Sequence, residues 1–121
     1  MNSAQVDFQQ IRIKHILFKS KVRSVLYGGV FDSVFFSESG PISHWFLQVG
    51  KVKYSNEPEL FNLQKTHSEL LSYANQLFTL YRNGSIDQAH AGMKEIEKLS
   101  DRFQELLTQM EKRLALRTDM V

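Results

Sequence analysis

Apolar residues recur at alternating steps of three and four along three long stretches of the chain, the spacing that aligns side chains on one helical face. The first stripe reads Phe8, Ile11, His15, Phe18, Val22, Val25, and the second Leu60, Leu63, His67, Leu70, Ala74, Leu77, Tyr81. The third reads Ala89, Met93, Ile96, Leu99, Phe103, Leu106, Met110, Leu114. The first pattern predicts a helix from about Ala4 to Tyr27, ended by Gly28-Gly29, residues that readily take the left-handed geometry of a helix terminus. The second predicts a helix from Asn56-Glu57-Pro58, with an Asn cap and an early proline, to Asn83-Gly84. The third opens at Ser85, whose pairing with Gln88 reads as a capping box, and is expected to fray after about Leu116. Between the first two, Val30 to Pro41 reads as a connector that tucks aromatics against the helices. It leads to a short amphipathic helix, about Ile42 to Val49, stopped by Gly50. Such stripes can be buried only against one another, so the expected fold is all-α, an antiparallel four-helix bundle of three long helices and one short one.

The chain of 121 residues, 42% hydrophobic, suits one domain spanning 1–121 that folds without staples. Its net charge of +2 comes from interspersed cations and 13 acidic residues, so nothing points to nucleic acid. Arg12, Lys19 and Arg23 share one side of the first helix, with Lys14 and Lys21 nearby, and read as a solvated face or a site for an acidic partner. Glu95, Glu97, Asp101 and Glu105 read as the solvated face of the last helix. The absence of cysteine excludes disulfides, thiol catalysis and a cysteine redox switch. No apolar run approaches the roughly 20 residues of a membrane span and no signal peptide is visible, so membrane insertion is not expected and the location reads as cytoplasmic.

His15 and His67 interrupt two otherwise apolar stripes. A buried imidazole needs a hydrogen bond, a metal or a partly wet pocket. A complete zinc site takes three or four ligands, and the residue one turn after His67 is Leu71, which offers nothing to a metal. His44, on the short helix, and His90, at the edge of the last stripe, are the remaining imidazoles. No glycine-rich phosphate loop, ordered Ser/His/Asp set or carboxylate pair is evident, and no enzymatic activity is expected.

In order, the landmarks resemble the chemoreceptor zinc-binding domain, a bacterial four-helix sensory bundle found on chemotaxis receptors and diguanylate cyclases and sometimes alone. The resemblance runs from Phe8 to Leu114: Lys14-His15-Ile16-Leu17-Phe18-Lys19 leading to Gly28, then Trp45-Phe46, Gly50, Tyr54, Pro58, Leu63 and His67, and finally Gly84 and Ala89. It implies zinc held by three histidines and one cysteine. His15 matches the first-helix ligand and His67 the first histidine of the third-helix pair. The second histidine falls on Leu71 and the cysteine on Gly40, while Ser43 stands for the glycine of the family's Cys-x-Leu-Gly-x-Trp segment. The expectation is therefore a non-enzymatic sensory or regulatory module with a degenerate or lost zinc site, in which His15 and His67 share hydrogen bonds. It would act through a signalling partner or as a homo-oligomer. Two alternatives stand beside it: a divalent-metal sensor using zinc at a weakened site of His15, His67 and His44, and a purely structural interaction bundle.

Overall fold

The computed structural model describes residues 2–119, of which the side chains of 117–119 are left aside. The helices are α1 (Ser3–Leu26), α2 (Pro41–Trp45), α3 (Lys51–Lys53), α4 (Pro58–Arg82), α5 (Ile86–Ala91) and α6 (Met93–Asp119), with a π-helical turn, Phe46–Gly50, joining α2 to α3. α2, the π turn and α3 form one continuous arm, as do α5 and α6, so the molecule is an all-α four-helix bundle. Contacts fix an up-down-up-down course. On α1, Asp7 meets Trp45 and Phe18 meets Phe36; α6 pairs Arg12 with Glu111 and Leu26 with its neighbour His90 on α5. Between α4 and α6, Glu57 meets Arg113 at one end and Leu77 meets Gly92 at the other.

The first helix begins where expected, one residue early. The Asn2 side chain accepts from the Gln5 amide and the Gln5 side chain from the Asn2 amide, closing a capping box. It ends at Gly28, whose φ of +96° only glycine adopts readily, and α4 ends likewise before Gly84 at φ +87°. The connector behaves as predicted. Asp32 accepts from the Val34 and Phe35 amides, and Phe36 is buried between the edges of Phe18 and Phe78.

Four local expectations are corrected. Gly50 does not stop the second helix: it is helical, at φ −58°, and its missing Cβ lets Leu60, Trp45 and Phe46 close to 3.2–3.3 Å of where that atom would lie. Helical backbone therefore continues to Lys53. Glu57, not Asn56, occupies the N-cap position of α4, and its buried carboxylate makes no cap bond but accepts from Arg113. Ser85 occupies the N-cap of α5 but makes no side-chain cap bond. Finally, the last helix is interrupted at Gly92, where an added Cβ would lie 2.2 Å from Leu77 Cδ2.

Two positions of the last stripe also shift by one, Ser100 for Leu99 and Leu107 for Leu106, while Ile96, Phe103 and Met110 are buried as the spacing predicts. Its fully buried residues are Ile96, Ser100, Phe103, Leu107 and Met110, while Met93, Leu99, Leu106 and Leu114 are only partly buried. Of the acids assigned to the solvated face of the last helix, Glu97 pairs with Lys19 and Arg23, while Arg12 reaches Glu111, Gln104 and Thr108 further along α6. No described helix is long and apolar enough to cross a membrane.

Because a methyl at position 92 must displace a buried leucine, Gly92→Ala should destabilise the chain by about 1–3 kcal/mol. Combined with Leu77→Ala it should cost less than the sum of the two single changes, by chemical denaturation; additive effects would mean that the close approach is not what selects glycine.

Candidate functional site

His15 and His67 occupy the mid-length of α1 and α4, and both are buried, at 1% and 5% exposure. They belong to a closed circuit of five rings to which all four arms contribute. His15 stacks on Phe103 at 4.5 Å, Phe103 meets Phe46 at 6.5 Å, and Phe46 lies 6.1 Å from His67. Phe18 closes the circuit, edge-on to His67 at 5.6 Å and 6.5 Å from His15. The two imidazoles are thus brought into one layer, but each has phenylalanines for neighbours.

Their polar atoms are satisfied unequally. His15 Nε2 shares a 2.7 Å hydrogen bond with Ser100 Oγ across the α1–α6 seam, leaving Nδ1 sealed and without a partner. His67 Nδ1 is also sealed and without a partner, and no protein group among the described residues bonds its ring. Burial lowers the pKa of each from 6.5 to about 4; for His15 the neighbouring His67 and Lys19 push the same way. Both rings are therefore neutral near pH 7.

Ser100 is the residue missed in the sequence. It stands four after Ile96 and three before Phe103, so the last stripe carries a polar interruption like the other two. Leucines at 99 and 106 drew the stripe one position away from it. Ser100 and His15 have the separation of a nucleophile and base, yet they are 2% and 1% exposed, and no carboxylate orients the imidazole through Nδ1. The pair has structural geometry. A second polar cluster that the sequence did not disclose surrounds Asp7. Its carboxylate accepts from Tyr54 Oη at 2.7 Å and Lys53 Nζ at 3.0 Å, and its carbonyl from Trp45 Nε1 at 3.1 Å. Burial, and then this bond to Asp7, raise the Tyr54 pKa. The cluster pins the start of α1 to the second arm.

Among the described residues no three His, Cys, Asp or Glu side chains come together. His44 is exposed on the outer side of α2, in a groove with Gln10, Lys14 and Gln48, and is not brought to His15 or His67. Leu71 is partly buried against the core. Gly40 is enclosed: a Cβ there would lie 2.3 Å from the Phe35 carbonyl, so this backbone has no room for a ligating side chain at that position. His90 is engaged elsewhere, donating from Nε2 to the Leu26 carbonyl and stacking on Tyr27 at 4.0 Å, which caps the end of α1.

Compared with protein-family models, with curated proteins and with solved structures, the chain matches none.

Two expectations follow from this geometry. Removing the hydroxyl by Ser100→Ala should destabilise the fold by about 1–3 kcal/mol, since it leaves the buried His15 ring with no partner at all. Adding His15→Leu should recover much of that loss in denaturant titrations, because both polar groups are then gone; no recovery would mean that the hydrogen bond is not what Ser100 contributes. The depressed pKa values set the pH dependence. The unfolded chain takes up protons from about pH 6.5 downward while the folded chain does so only near pH 4, so stability is full above 6.5 and falls through that interval. The loss should reach about 3 kcal/mol per histidine by pH 4. Replacing both by leucine should flatten this part of the profile, and an unchanged slope would contradict the assignment.

Proposed function

We propose that this chain is a non-enzymatic sensory or regulatory module resembling the chemoreceptor zinc-binding domain, without a metal, that acts by docking to a protein partner or by self-association. The observation that carries this reading is the outward face of α1. Opposite its buried stripe lie the exposed Val6, Gln9, Gln10, Ile13, Ile16, Leu17, Ser20, Ser24 and Tyr27, none of them charged, and the one exposed cation of the helix, Arg23, sits at the edge of this face. Ile13, Ile16 and Leu17 are 60%, 59% and 45% exposed. An outward helical face normally carries charges, and clustered exposed aliphatics mark interaction surfaces. Cations are kept to its two edges, where Arg12, Lys19 and Arg23 are tied to α6 and Lys21 lies over Phe35.

A second reading, divalent-metal sensing, is favoured by one observation: the sealed, partnerless Nδ1 atoms of His15 and His67. Against it stand Leu71, the enclosed Gly40 and the remote His44. An additional ligand would have to come from a rearrangement of the connector.

Replacing Ile13 and Leu17 together by Asp should leave the melting temperature within about 3 °C, because both positions are exposed. It should abolish self-association in sedimentation, or retention of a partner in capture experiments. Association that is unaffected removes this face from the function. Zinc added to metal-stripped protein should leave the melting temperature unmoved; a rise that His67→Ala abolishes would replace the metal-free reading with the metal sensor.

A further inference from the structure

A cleft of about 330 Å³ opens between the end of the connector, the second arm and α4, and His67 lies at its inner wall. Around it stand three polar groups of different chemistry that the fold does not use. The His67 ring, 5% exposed, has no hydrogen-bond partner among the described residues. Glu38, on the connector, and Lys51, on α3, both line the cleft and are exposed, and neither forms an ion pair with any described residue. Every other buried charge or aromatic hydroxyl near the second arm is paired, Asp7 with Lys53 and Tyr54, and Glu57 with Arg113. Of the groups lining this cleft, His67 is the unusual one, a buried ring without a partner, and Glu38 and Lys51 place an exposed charge of each sign beside it.

Their chemistry specifies what would complete them. A nitrogen sealed without a partner costs less as a bare acceptor than as an N–H, so the neutral ring keeps its proton on Nε2 and leaves Nδ1 as the sealed acceptor. The ring is thus a donor for whatever occupies the cleft, and the occupant must bring an acceptor. Lys51 favours that acceptor as a carboxylate, and Glu38 favours a cationic group on the same molecule. Phe46 supplies an apolar wall, while Ser43 and Gln64 add small polar contacts. The volume lies at the small end of ligand pockets, which run from about 300 to 1,000 Å³, and suits a compact metabolite.

We propose that this cleft binds a small zwitterion bearing a carboxylate and an ammonium group, of which an α-amino acid is the simplest kind, with the carboxylate held by His67 and Lys51 and the ammonium by Glu38. This inference rests on the reading of the chain as a regulatory module, for which such a molecule would be the signal. It requires no metal. The bundle positions the three groups from separate arms, so an occupant would add a tie between the connector, α3 and α4 beside the hydrogen bond of Asn75 to the Phe36 carbonyl.

The test is calorimetric titration of the whole chain with L-serine and L-leucine, in the presence of EDTA, against two analogues of leucine: isoamylamine, which lacks the carboxylate, and 4-methylpentanoate, which lacks the amine. At least one amino acid should bind, and both analogues should bind at least about tenfold more weakly, as expected for the loss of a charge-assisted hydrogen bond. Lys51→Met and Glu38→Gln should each weaken binding by a similar factor without moving the ligand-free melting temperature. His67→Gln, which keeps an N–H donor, should bind better than His67→Phe. Absence of binding by both amino acids, equal binding of the analogues, or indifference to the Lys51 and Glu38 substitutions overturns the proposal. Because EDTA is present, a zinc response in the separate melting experiment bears on the metal-free reading alone.

Discussion

Burying an imidazole among phenylalanines is costly, and the hydrogen bond that His15 shares with the Ser100 hydroxyl across the α1–α6 seam offsets that cost for one of the two buried rings. This bond constrains more than two side chains. Sliding α6 by one turn against α1 would bury the ring and the hydroxyl apart, each unpaired, so the pair sets the register of the α1–α6 seam. In that register Lys19 and Arg23 fall on Glu97, Arg12 falls on Glu111, and His90 reaches the carbonyl of Leu26 at the far end. Exposed ion pairs of this kind contribute little individually. Their regular alignment on both sides of His15 follows from the register that the buried pair imposes.

All four arms meet in a circuit of five rings, with Phe18, Phe46 and Phe103 between the two imidazoles. Aromatic contact and burial supply cohesion without charge. His15 is absorbed into that core by Ser100, whereas His67 is not, and its ring stays available at the wall of a cleft. The two histidines, equivalent in the sequence pattern, therefore have different fates: one fixes register and the other is left with unused hydrogen-bonding capacity.

Much of the fold was legible because it rests on periodicity. The stripes through Phe8 to Val25 and Leu60 to Leu77 are buried as the spacing predicts, and Gly28 and Gly84 end their helices through left-handed φ values. What escaped was decided by close approach in three dimensions. Gly50 reads as a stop in one dimension and as a packing notch against Leu60 in three; Gly92 is the same case against Leu77. The last stripe was ambiguous because leucines stand at both 106 and 107, and the choice between neighbouring registers hid Ser100. Of the candidate site, His15 and His67 were legible as polar residues in apolar stripes. The placement of His44 was not, since a five-residue helix followed by a π turn has no period long enough to fix which way a side chain faces. Glu38 and Lys51 gave no signal at all, being ordinary surface charges until the connector and α3 bring them to one cleft.

As proposed above, His15 and His67 are neutral rings without a metal, the first bonded to Ser100 and the second at the wall of a cleft. Long-range nitrogen–proton correlation NMR of the chain labelled at the histidine rings reads tautomer, protonation and metal ligation for each ring directly. Freshly purified protein near pH 7 should give neutral rings for His15 and His67, unchanged by EDTA, with the His15 Nε2 resonance shifted by Ser100→Ala. Nitrogen shifts of metal-bound rings that EDTA abolishes, or a charged ring at either position, would contradict it.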